Sequence, residues 1–85
     1  MVSNDFFQQV RLSDMKTSLP PKEILSKREI EVLRLIALEH TSQQIANKLF
    51  ISIHTVNFHR KNIRSKLAVK SVGEMILYAY QHQLI

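Results

Sequence analysis

Apolar residues along this chain fall into short groups at helical spacing, and each group is preceded by a hydroxyl side chain. Ser26-Lys27-Arg28-Glu29 has the form of a capping box, with Ser26 accepting from the Glu29 amide and the Glu29 side chain returning to the Ser26 amide. Leu25 and Ile30 flank it as a hydrophobic staple. Thr41-Ser42-Gln43-Gln44 repeats the box, followed by Ile45, Ala46 and Leu49 as the stripe of a short helix that ends near Phe50. Ser52 is an N-cap for a longer helix, with Ile51 and Val56 as its staple, and Ser71-Val72-Gly73-Glu74 marks a fourth start. The pattern predicts helices over 27–38, 42–49, 53–67 and 72–82, an all-α, compact four-helix domain. Between the second and third lies only Phe50-Ile51-Ser52. That is the spacing of a helix-turn-helix whose second helix enters the major groove of DNA, although short turns also join helices in many bundles.

The 53–67 helix has two distinct faces. At 100° per residue, Val56, Ile63 and Leu67 lie within about 20° of a common direction, so they form the stripe that packs inward. His54, Asn57, Phe58, Lys61 and Ser65 then cluster on the opposite side, with Arg60 and Arg64 toward its edge. Asn57 can bond bidentately to adenine, Lys61 can reach the guanine acceptors, and Phe58 can lie against a thymine methyl. His59 projects about 60° from the buried stripe and reads as a boundary histidine bonded to backbone or to a phosphate.

Residues 1–22 read as a linker or flexible N-terminal arm, because Ser, Asn, Asp and Thr dilute its apolar positions and Pro20-Pro21 closes it; the domain then occupies 23–85. Phe6 and Val10 have the spacing for one short helix there, marginal on its own in water. In the 72–82 helix, Met75 to Tyr80 place apolar atoms on every side, more than one core requires. A second buried surface is implied. Leu77, Tyr80 and Leu84 are the expected contact of a homodimer; the alternative is that Phe6, Phe7 and Val10 of the arm cover them.

Composition narrows the function further. With 85 residues there is room for one domain, and with no cysteine there is no disulfide, thiolate metal site or cysteine nucleophile. The longest apolar run is six residues, far below the roughly 20 that span a bilayer, and no signal-peptide pattern opens the chain, so a cytoplasmic protein without a membrane partner is expected. The net charge of +5 is placed unevenly. From His40 to Gly73 there are Lys48, Arg60, Lys61, Arg64, Lys66 and Lys70 but no Asp or Glu, a footprint suited to phosphate or, in the alternative, a merely solvated basic face. His54 and His59 are five apart, not the four of a helical metal pair, and no carboxylate is near. One glycine supplies no phosphate-cradling loop and no nucleophilic constellation is present, so neither a cofactor nor an enzyme is expected.

From Leu25 to Ile85 the chain resembles the LuxR/FixJ-type DNA-binding domain, the output module of many bacterial response regulators and quorum sensors. The matching residues are Leu25 to Leu33, Ile45-Ala46, Leu49, Ile51-Ser52, Thr55-Val56, His59, Asn62-Ile63, Lys66-Leu67 and Leu84-Ile85. The resemblance implies base reading by Asn57, Phe58 and Lys61, backbone contacts near Thr41, Ser42, Gln43, Thr55, His59 and Arg64, and dimers formed through the last helix. Lys48, His54 and Arg60 join the backbone or groove set by their charge and placement. Four positions depart from the family pattern, which commonly has Gly for Glu39, Lys for Asn57, Arg for Val72 and Gly for Gln83. A different cap geometry is expected near Glu39, and a preference shifted toward adenine at Asn57. The implied function is sequence-specific binding of double-stranded DNA in bacterial transcription regulation, as the output domain of a two-component response regulator, with RNA polymerase as a further candidate partner. The rivals are a sigma-factor-like promoter-binding domain, against which the apolar last helix argues, and a protein-interaction adaptor using the Tyr-rich helix.

Overall fold

The computed structural model describes residues 19–85. Five helices follow one another: α1 (Pro21–Ile24), α2 (Lys27–Ala37), α3 (Ser42–Leu49), α4 (Ile53–Leu67) and α5 (Val72–Gln81). The four expected helices are all present, each ending within a residue of its predicted bound. The one-turn α1 was not anticipated; Pro21 at its first position and Glu23 in its first turn favour it locally. The spacing of Phe6, Phe7 and Val10, and most of the expected arm, lie outside the described residues.

Each of the four expected starts uses its predicted cap residue. Ser26 and Glu29 form a reciprocal box at α2, as do Thr41 and Gln44 at α3. Ser52 Oγ accepts from the Thr55 amide, and Ser71 Oγ from the Glu74 amide. At α5 the box is displaced by one residue, since Glu74 Oε1 accepts from the Lys70 amide.

Helix α2 lies at the centre, packing on each of the other four helices, and α4 packs on both α2 and α3. Val32, Leu33 and Ile36 of α2 meet Ile45 of α3, Val56, Ile63 and Leu67 of α4, and Met75 and Tyr78 of α5 in one buried cluster. Three polar links fasten its edges. Lys66 Nζ donates to Glu29 Oε1 at 2.8 Å, Arg34 Nε to the Leu84 carbonyl at 3.1 Å, and Tyr78 Oη to the Leu19 carbonyl at 3.3 Å. Burial pushes the Tyr78 hydroxyl up to about 12, so it stays a donor through the neutral range.

The helix ends share one geometry. Glu39, Phe50, Ala68 and Gln83 all have φ between 56° and 68°. Directly after them, the amides of His40, Ile51, Val69 and Leu84 reach back five residues to the carbonyls of Leu35, Ala46, Arg64 and Ala79. These are Schellman closures made without glycine. The different cap geometry expected at Glu39 is therefore not what forms: the left-handed turn is kept and the side chain is tolerated in it.

Two outcomes test this fold. A Cβ in the left-handed region is strained, so Glu39→Gly and Gln83→Gly should each raise stability by about 0.5–1 kcal/mol, read as a higher urea midpoint at unchanged slope. At Glu29, burial raises the carboxyl pKa, but the Lys66 hydrogen bond, the Ser26 amide and the Lys66 charge outweigh it and leave it below its ordinary 4.5. A lowered folded pKa contributes stability above the unfolded value, and that contribution is lost as pH falls through the folded one. Glu29→Gln keeps the cap but removes the charge, so it should be less stable by about 1 kcal/mol at neutral pH, a deficit that closes in denaturation curves as pH falls through the lowered folded pKa of Glu29.

Candidate nucleic-acid interface

The interface is built on two helices and the turn between them. At α3, Thr41 is fixed by its capping box, with Gln44 Oε1 2.8 Å from the Thr41 amide, so the helix start faces outward in one orientation. Gln43 and Asn47 bond side chain to side chain at 3.1 Å along the exposed surface of that helix. Ser42 is half-buried, and Gln43 and Lys48 are exposed. Helix α3 closes at Phe50 in the left-handed conformation, and Ser52 restarts the chain two residues later. The Ser52 and Thr55 hydroxyls lie 3.0 Å apart, which holds Thr55 at the first turn of α4.

Along α4 the two faces separate as the periodicity requires. Val56, Ile63 and Leu67 are fully buried. His54, Asn57, Phe58, Lys61 and Ser65 are exposed, while Thr55, His59, Arg60 and Arg64 form a half-buried flank. All three expected base-reading side chains thus stand on one outward row, with the expected backbone residues of α4 around them. The Nδ1 atom of His59 is buried without a hydrogen-bond partner among the described residues.

Charge follows the same division. No carboxylate occurs in α3, the turn or α4. Among the described residues, Lys48, Arg60, Lys61 and Arg64 make no ion pair, whereas Lys66, in the same basic window, is held by Glu29. Burial, and then the neighbouring Arg64 charge, push the Arg60 guanidinium below its ordinary value. Two like charges one helical turn apart, with no internal partner, are relieved by an external anion.

The expected dimer residues are not equivalent. Tyr80 is 71% exposed, Leu77 is half-buried, and Leu84 packs on the core, its carbonyl taken by Arg34. A residue missed by sequence reading is Phe50, 93% exposed in the turn. Its place after Leu49 looked like a helix end, but no periodicity marks a left-handed residue that is not glycine. Among the described residues no cluster of His, Cys, Asp or Glu could hold a metal ion, and no helix is long and apolar enough to cross a membrane.

Residues 23–79 match the family model described as bacterial regulatory proteins, luxR family. The chain belongs to this family. The luxR-family domain is similar to the oxygen regulatory protein NreC of Staphylococcus epidermidis, 42% identical over 82 residues, which are 96% of this chain and 38% of that protein. It is also 43% identical to NreC of Staphylococcus haemolyticus, covering 96% of this chain and 37% of the relative. With NreC of Staphylococcus aureus the identity is 43%, covering 85% and 33%. The chain therefore spans little more than a third of the length of these relatives. It is a luxR-type helix-turn-helix DNA-binding domain.

If phosphate contact comes from the unpaired Lys48, Arg60 and Arg64, affinity should fall with salt by about 0.9 logarithmic units per decade for each contact. Arg64→Ala should then weaken specific and random duplex alike and reduce that slope by about one contact, as measured by fluorescence anisotropy titrations at several salt concentrations.

Proposed function

We propose that this luxR-family domain reads a specific operator through Asn57, Phe58 and Lys61 in the major groove, and acts as the output domain of a cytoplasmic two-component response regulator. The observation that carries the reading is the division of α4: a fully buried stripe on one side, and on the other an exposed row of hydrogen-bonding and apolar side chains, with no carboxylate in α3, the turn or α4. Thr41, Ser42, Gln43, Lys48, His54, Thr55, His59, Arg60 and Arg64 hold the flanking phosphates in this reading. Their exposure or half-buried position around α3 and α4 supports it.

A homodimer through α5 completes the proposal. Tyr80 and half-buried Leu77 give that helix an outer apolar side, with Leu84 at its inner edge. Two copies related by a two-fold axis would place their α4 helices in half-sites about one helical turn apart. Regulators bound beside a promoter meet RNA polymerase, which is the further partner proposed. The kinship with the staphylococcal regulators supports the response-regulator setting.

Selection of bound sequences from a random duplex pool tests the reading. The expected result is an enriched motif in paired half-sites, and Lys61→Ala should weaken binding to that motif by about 1–3 kcal/mol while relaxing one base position. No enrichment by the folded chain, or equal losses on motif and random duplex for Lys61→Ala, would remove sequence reading by this face.

A further inference from the structure

Phe58 is the apolar member of the outward row. Its side chain is 61% exposed, it takes no part in the buried cluster, and among the described residues the one aromatic ring paired with it is His59, with centroids 6.1 Å apart and planes tilted by 58°. It stands between Asn57 and Lys61 on a cationic face without carboxylates. The floor of the major groove offers such a ring one kind of apolar group, the methyl on C5 of a pyrimidine.

We infer that Phe58 makes the domain a reader of that C5-methyl group, so that thymine and 5-methylcytosine are recognised alike and methylation of cytosine within the operator raises affinity. The inference rests on the DNA-reading face proposed above and assigns that face a chemical mark as well as a sequence. Both bases carry the methyl on the same carbon at the same place in the groove. They differ in the groups that hydrogen-bond, and those fall to neighbours such as Asn57 and Lys61 rather than to an aromatic ring. Contact with one methyl is worth about a four-fold change in affinity, the roughly 0.8 kcal/mol for burying one carbon group converted at about 1.4 kcal/mol per decade.

The test uses the 85-residue chain and duplexes of the selected operator carrying single-base changes. Thymine to uracil deletes the methyl and nothing else; cytosine to 5-methylcytosine at the same position adds it to the other pyrimidine. The expected result is one pyrimidine per half-site at which uracil binds about four-fold more weakly than thymine, and at which methylation strengthens the cytosine form by a similar factor. Phe58→Ala should abolish both contrasts with an unchanged melting temperature, because the side chain lies outside the core. The thymine and uracil arms use the unaltered chain, so they do not depend on how the variant folds. Flat contrasts with intact operator binding, a thymine contrast without a 5-methylcytosine one, or contrasts that survive in Phe58→Ala would each overturn the inference and leave the DNA-reading face standing. Loss of all operator selectivity would instead overturn that face, and this inference with it.

Discussion

A helix in a small domain can aim a surface at a partner only if its other side is held without slack. In α4 that hold is the stripe of Val56, Ile63 and Leu67, each fully buried against α2 and α3. The three residues span almost the whole helix, so they fix its rotation about its own axis as well as its position. Once that rotation is set, Asn57, Phe58 and Lys61 have nowhere to point but outward. The central α2 is the backing for this arrangement, because Val32, Leu33 and Ile36 fill the space beneath the stripe and α5 closes the far side. The Glu29 to Lys66 bond then ties the start of α2 to the end of α4, at the opposite end of the helix from the turn.

The short connections follow from the way the helices stop. A left-handed residue followed by a bond back across five residues reverses the chain in little length and satisfies carbonyls that would otherwise be orphaned. Four such closures in one small domain leave no long loops between α2 and the end of α5. Carrying them on Glu, Phe, Ala and Gln strains the backbone at each site, while the single glycine, Gly73, sits in the first turn of α5 where no positive φ is needed. At Phe50 the closure also brings α3 directly against the turn that launches α4, which sets the two interface helices at close quarters.

Much of this was legible because its causes are local. The Ser or Thr caps with Glu or Gln three residues on marked the starts of α2, α3 and α5, Ser52 alone marked that of α4, and the seven- and eleven-residue steps from Val56 marked its buried face. The outward row followed from that face by subtraction. What escaped depends on residues far apart in the chain. Lys66 looked like one more phosphate-facing cation, yet its partner Glu29 stands 37 positions earlier and takes it out of the unpaired set. Leu84 looked free to join a dimer surface until the fold laid it on the core and gave its carbonyl to Arg34. The one-turn α1 has no period to read, and its setting depends on contacts with α2 and on the Tyr78 bond to Leu19.

The division of α4 also separates stability from recognition. Side chains on the buried stripe contribute by packing and are sensitive to any loss of volume. Those on the outer row give the free domain little, and Arg60 and Arg64 are half-buried cations that repel each other and make no ion pair among the described residues. Such a pair is retained at low cost only where a polyanion completes it, since phosphate then supplies the partner that the chain withholds. The same logic distinguishes the flank from the row. In the proposed reading the arginines answer to charge and act on any duplex, whereas Asn57, Phe58 and Lys61 answer to the shape and chemistry of base edges. On that proposal affinity and specificity reside on neighbouring strips of one helix, and they can be changed separately because a single buried stripe holds both in place.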